Sequence, residues 1–154
     1  MPEPKRIIWI DNDRANVRAY VTGLQEAGYA VEVVTSVSKA EEVLRTQQFH
    51  LLILDVMIPT MSEQEEANYP PDETDNGHST GLLFYKRMGD ALTKAGTVVM
   101  ALTVRIDKHV RRAFEESGLP PSHFVTKMEI RAWPDFLRKV EELLKPRASG
   151  DHVR

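Results

Sequence analysis

Residues 51–59 read Leu-Leu-Ile-Leu-Asp-Val-Met-Ile-Pro. Four apolar residues run straight into one carboxylate, Asp55, and Pro59 follows closely. A short unbroken apolar run suits a strand covered on both faces, as in a parallel sheet. Proline cannot donate to a ladder, so the strand ends before Pro59. Asp55 then stands at the carboxyl end of a central strand, the edge where open α/β sheets bind ligands. A solvated loop aspartate explains this segment equally well. The choice depends on whether other strands send complementary groups to the same edge.

Four more apolar runs accompany this one. Arg6-Ile7-Ile8-Trp9-Ile10 ends at Asp11-Asn12-Asp13, and a helix is expected from about Ala15 with Val17, Val21 and Leu24 on one face, stopped by Gly28. Asp and Asn are favoured helix caps, which accounts for one of the three polar residues better than for all three. Tyr29–Val34 reads as a second strand, and Ser38-Lys39-Ala40-Glu41 fits a capping box opening the next helix. Thr80-Gly81 opens a third helix, with Leu82, Leu83, Tyr85 or Lys86, and Met88 on its face. Residues 97–102 form a fourth strand ending at Thr103. Asp107 caps a fourth helix carrying Val110, Ala113 and Phe114, and Gly118 stops it. A short fifth strand, 123–126, ends at Lys127. Pro134 suits the first turn of a last helix with Phe136, Leu137, Val140, Leu143 and Leu144 inward and Pro146 at its end. Strict strand–helix alternation implies a parallel sheet with helices on both faces.

A chain of 154 residues suits one domain, here residues 1–146, with a disordered tail at 147–154. Cysteine is absent, which removes disulfides and thiolate metal or redox sites. The first residues carry no apolar signal core and no run reaches membrane-spanning length, so a cytoplasmic protein is expected. A net charge of −3 points to neither nucleic acid nor membrane. That charge is uneven. Residues 62–79 hold Glu63, Glu65, Glu66, Asp72, Glu73 and Asp75 with no Lys or Arg, leaving the remainder at +3. This segment lacks periodicity and contains Pro-Pro and Asn-Gly, so it reads as a mobile acidic surface loop.

Four of the five strands thus end in polar groups: Asp11-Asn12-Asp13, Asp55, Thr103 and Lys127. Parallel strands bring these to one edge. Carboxylates about 4 Å apart repel by roughly 4 kcal/mol at a moderate effective dielectric. A hard cation such as Mg²⁺ relieves that repulsion and bridges to a phosphoryl oxygen. A carboxylate can then attack phosphorus, while a hydroxyl and an ammonium bind the remaining oxygens.

These residues, in this order, resemble the receiver domain of two-component response regulators (the CheY-like family). The segments that carry the resemblance are Ile-Trp-Ile-Asp-Asn-Asp, Leu-Leu-Ile-Leu-Asp-Val-Met-Ile-Pro, Thr-Gly-Leu, Ala-Leu-Thr and Phe-Val-Thr-Lys, spread over residues 6–145. The resemblance implies a flavodoxin-like, doubly wound five-stranded sheet of order 2-1-3-4-5. It implies a phosphoacceptor at Asp55, with Mg²⁺ held by Asp55, the Asp11-Asn12-Asp13 turn and the Met57 carbonyl. Thr103 would be the switch hydroxyl, Lys127 the phosphate partner, and Phe124 the aromatic that swings inward on activation. A histidine kinase or phosphotransfer protein would be the donor. A downstream protein would read the face of the fourth helix, fifth strand and last helix, and homodimerisation is compatible with that face. Such a domain is a signalling switch, an enzyme only toward its own phosphorylation and dephosphorylation.

Four positions depart from the family pattern. Asn12 stands at the second acidic position, Met128 replaces a proline, Val104 replaces a small residue, and 62–79 is inserted beside the site. Two other readings follow. In one, the neutral Asn12 marks a degenerate receiver that works as a phosphorylation-independent interaction module. In the other, Asp11-Asn12-Asp13 is the D-x-D of a haloacid-dehalogenase-type phosphatase with Asp11 as nucleophile. Met57 and Val104 are expected to slow water attack on an acyl phosphate, and the acidic insertion to oppose anionic small-molecule donors.

Overall fold

The computed structural model describes residues 3–104, 107–130 and 132–145. Its five strands are β1 (Arg6–Ile10), β2 (Ala30–Val34), β3 (Leu51–Asp55), β4 (Val98–Thr103) and β5 (Phe124–Thr126). All pair in parallel, in the order β2-β1-β3-β4-β5. The sheet expected from sequence is therefore the sheet observed, and β3 occupies its centre with all five residues buried. Its side chains alternate between two cores. Ile8, Ile10, Leu52, Leu54 and Ala101 face one layer, while Ile7, Trp9, Leu51, Ile53 and Met100 face the other.

Helix α1 (Arg14–Glu26) covers the second layer, and its buried Val17 and Leu24 are two of the three positions the spacing assigned inward. The last helix, labelled α7 (Trp133–Leu144), lies beside it and buries Phe136, Val140 and Leu144. Trp9, Tyr20 and Phe136 meet between them, with Trp9 and Phe136 stacked at 5.4 Å. Gly23 lets the helices close, because a Cβ there would lie 2.7 Å from the Trp133 ring. The expectations for Pro146 and the 147–154 tail fall outside the described residues.

The first layer holds α2 (Val37–Thr46), with Val37, Ala40 and Val43 buried. The proposed capping box at Ser38–Glu41 is not formed. Ser36 is the cap, its hydroxyl accepting from Lys39 N–H, because Val37 is fully buried and pulls the helix start one residue beyond Ser36. Glu41 is thereby released for another role.

Residues 62–79 are a folded element rather than a mobile loop. They form α3 (Glu63–Asn68) and α4 (Pro71–Thr74). Ser62-Glu63-Gln64-Glu65 carries the capping-box signature, and the Ser62 hydroxyl accepts from Glu65 N–H at 3.0 Å. Pro71 opens α4 at a position where its missing N–H costs nothing. Tyr69 and Thr74 are 1% exposed, so this segment inserts side chains into the body. The Tyr69 hydroxyl donates to Glu41, and Arg87 pairs with Glu41 at 3.3 Å, joining the insertion to α2 and to α5 (Thr80–Ala95).

α5 buries Phe84, Tyr85 and Leu92 and leaves Lys86 exposed, which settles the Tyr85-or-Lys86 choice. Its first turn runs against the end of β3. Gly81 N–H donates to Val56 O at 2.9 Å, and a Cβ at Gly81 would lie 2.5 Å from Asp55 O. That close approach requires glycine. α6 (Lys108–Glu116) is capped by Asp107 as expected and buries Phe114. A single 3₁₀ turn, Pro121–His123, occupies the position expected to begin β5.

Candidate phosphoryl-transfer site

Parallel order delivers the ends of β1, β3, β4 and β5 to one edge, with β3 between β1 and β4. Asp11 follows β1 directly and is 3% exposed. Its N–H donates to Val34 O, and its Oδ1 accepts from Asp13 N–H at 2.9 Å, closing the turn. Asn12 is exposed at the tip of that turn. Asp13 is the N-cap of α1, with Oδ1 accepting from Ala15 and Asn16 N–H at 3.0 and 3.2 Å. The capping role considered for this triplet therefore falls to Asp13, while Asp11 is buried toward Asp55.

Asp55 ends β3 and is 8% exposed. Its Oδ1 accepts a long 3.3 Å hydrogen bond from Met57 N–H. Burial, and secondarily the charge of Asp11, push its carboxyl up to about 7; Lys127 and the Met57 and Val56 amides pull the other way. Asp11 and Lys127 are thus each within electrostatic reach of Asp55. Val56 N–H donates to Leu102 O and Lys127 N–H to Thr103 O at 2.8 Å, which ties the three strand exits together.

Thr103 is buried at the end of β4, and Phe124 is buried at the start of β5. The Phe124 ring packs on Phe114 at 5.6 Å, and the Arg111 guanidinium lies over it at 5.7 Å. Thr103 and Phe124 line one cavity of about 170 Å³ with Val56, Met57, Asp107 and Val110. Asp75 and His78 complete its wall. These two residues come from the insertion, and sequence reasoning missed them, since 62–79 showed no pattern that would aim them at β4. Val104 is 54% exposed and Met128 64% exposed.

The donor set can be tested for a divalent cation. Among the described residues, no three His, Cys, Asp or Glu side chains converge to hold a metal ion. Two carboxylates do converge, and burial together with the charge of Asp11 raises Asp55. One or two carboxylates completed by neutral oxygens, water and a phosphoryl group is the set Mg²⁺ favours. The residues present fit that ion.

Residues 7–64 match the family model for the response regulator receiver domain. The match stops just inside the insertion. A search of curated proteins returns no match. Among solved structures, the chain is similar to a CheY-like response regulator receiver domain protein from Methanospirillum hungatei JF-1, at 18% identity and TM-score 0.68, covering 92% of this chain and 94% of that one. It is similar to the chemotaxis protein CheY4 of Vibrio cholerae at 16% identity and TM-score 0.67, covering 91% and 98%. It is also similar to the beryllofluoride-activated NtrC4 receiver domain dimer at 17% identity and TM-score 0.67, covering 91% and 96%.

Proposed function

We propose that this chain, whose fold is that of the response-regulator receiver domains, is a phosphoacceptor switch labelled on Asp55. The observation that carries the reading is the meeting of Asp55 and Asp11 with Lys127 at the central strand exits, with Asp55 raised to about 7. Like charges held together in a nearly closed site disfavour the resting state. A divalent cation relieves that repulsion, and together with Lys127 it offsets the further negative charge that an acyl phosphate brings.

An oxygen of the Asp55 carboxylate attacks phosphorus in line. The P–N bond of a phosphohistidine on a kinase or phosphotransfer protein breaks, and the imidazole leaves with the bond pair and takes a proton. Lys127 holds one phosphoryl oxygen and the Thr103 hydroxyl another. When bound by Asp11, Asp55, the Asn12 amide and the Met57 carbonyl, Mg²⁺ would neutralise charge on the transferred group. Asp13 stays in the cap of α1 and orients Asp11 through its N–H. Thr103 moving toward the phosphoryl group vacates part of the cavity it shares with Phe124. The face of α6, β5 and α7 then changes, and phosphorylation shifts that equilibrium by its differential affinity for the two states. A downstream protein reading this face, with or without dimerisation, completes the proposal, in the cytoplasm where such kinases act.

A second reading is favoured by Asn12, exposed and neutral where the family pattern has an acid. It makes the chain a degenerate receiver. Titration with Mg²⁺ and beryllofluoride, read by amide shifts and by intact mass after acyl phosphate treatment, decides. Wild type should respond and Asp55→Asn should not, with its fold intact. No response from wild type establishes the degenerate reading; equal labelling of Asp55→Asn refutes Asp55. Label on Asp11 would revive the phosphatase reading, which the receiver fold leaves without support.

A further inference from the structure

The insertion contains a buried carboxylate that the switch mechanism does not use. Glu65 is 2% exposed. Among the described residues no cation pairs with it. Its Oε1 accepts from Met61 N–H at 2.7 Å, and its Oε2 accepts from Ser38 N–H at 2.9 Å. Ser38 lies in the first turn of α2, where unpaired N–H groups favour negative charge. Met61 ends the loop that leaves β3. A buried carboxylate without a cation persists only where both oxygens are bonded, so this is a built bridge between two backbone segments.

The loop it holds is the one that carries Met57. At its near end, Val56 is fixed by Leu102 O and by Gly81 N–H. Between there and Met61, the hydrogen bonds among the described residues are limited to the long one from Met57 N–H to Asp55, and Ile58 is packed into the core. Beyond Ile58, the far end is held by Glu65 through Met61 N–H. The returning part of the insertion presses on the same loop, since a Cβ at Gly77 would lie 3.6 Å from Ile58 O and 3.7 Å from Pro59 Cα. The Tyr69–Glu41–Arg87 group prevents α3 from withdrawing.

We infer that Glu65 is a positioning residue for the phosphorylation site, bracing residues 57–61 so that the Met57 carbonyl and the Asp55 amide contact stay in place. This rests on the reading of Asp55 above. The insertion is then a built-in brace of the site, with Glu63, Glu66, Asp72 and Glu73 exposed.

The test uses full-length Glu65→Gln, with Glu66→Gln as the exposed neighbour control. Gln keeps the size but offers one acceptor and presents an NH₂ to the other N–H. Hydrogen exchange at residues 57–61 is measured without metal, and Mg²⁺ affinity by titration. Glu65→Gln should exchange faster at 57–61 and bind Mg²⁺ roughly ten- to hundred-fold more weakly, the range for lost support of a metal site. Glu66→Gln should match wild type. Native exchange and native affinity in Glu65→Gln overturn the inference. Should that variant melt below assay temperature, Glu65→Asp supplies the contrast, because it keeps the charge but is one methylene too short to span both donors. If wild type itself takes up no Mg²⁺ or beryllofluoride, the receiver reading falls and the positioning role with it; faster exchange alone would then mark Glu65 as a purely structural brace.

Discussion

Asp55 and Glu65 are both buried carboxylates, ten residues apart, and they are built to opposite ends. Glu65 has each oxygen bonded to a backbone N–H at 2.7 and 2.9 Å. Asp55 has a long 3.3 Å bond from Met57 N–H, help from the Val56 amide and Lys127, and a second carboxylate for a neighbour, and its carboxyl is still raised. The first is a closed site whose interactions are complete. The second is left with repulsion that a cation can remove. Burial alone does not make a carboxylate reactive; what it lacks in partners does.

The largest effect expected from breaking this contrast is at Asp55. Its folded-state value of about 7 lies above the usual 3.8, so the folded chain binds that proton more tightly than the unfolded chain. Stability from this group is present at low pH and is lost as pH rises from about 4 to about 7. Asp55→Asn should therefore stabilise the metal-free protein by up to about 4 kcal/mol at pH 8, and by almost nothing near pH 3.5. Urea melts at the two pH values measure this, and a pH-independent difference would contradict it.

Glu65 should behave in the opposite sense. Glu65→Ala removes the acceptors of two part-buried N–H groups, and a loss of about 2 kcal/mol is expected in the same melts. Glu66→Ala, exposed one residue later, should stay within about 0.5 kcal/mol. Similar values for the two would mean that the bridge is not formed in solution. Tyr69→Phe keeps the ring in the core and removes only its hydroxyl bond to Glu41, so about 1 kcal/mol should be lost.

The smallest effect concerns the outward charges. Because the insertion is packed, deleting 62–79 would remove Tyr69 and Glu65 from the body and would not isolate electrostatics. Neutralising the exposed Glu63, Glu66, Asp72 and Glu73 to Gln or Asn does isolate it. Labelling by acetyl phosphate should quicken roughly two- to threefold at low ionic strength and return to the wild-type rate near 0.5 M salt. An unchanged rate at low salt would remove any steering role for these side chains.

Much of the site was legible in the chain because apolar runs ending in polar residues are a local signal. Once alternation implied a parallel sheet, Asp11, Asp55, Thr103 and Lys127 had to share an edge. Asp13 was legible only as one of three capping candidates, and geometry distributed the roles. The insertion was misread for a physical reason. Its helices are six and four residues long, too short to show periodicity, and its anchors are single side chains, Glu65 and Tyr69, whose partners lie 27 and 28 positions away. The Ser62–Glu65 capping signature was the one local sign of order.

By itself, then, the sequence determined the strand order's raw material, the two-faced burial of β3 and the identity of the residues at its end, because those depend on hydrophobic pattern and chain direction. Only the tertiary structure decided which acidic residue meets a second carboxylate and which is closed by backbone N–H groups. Ser38 and Met61 N–H complete Glu65, and Asp11 opposes Asp55, through contacts between segments distant in the chain, and a carboxylate's free energy depends on those neighbours rather than on its own name.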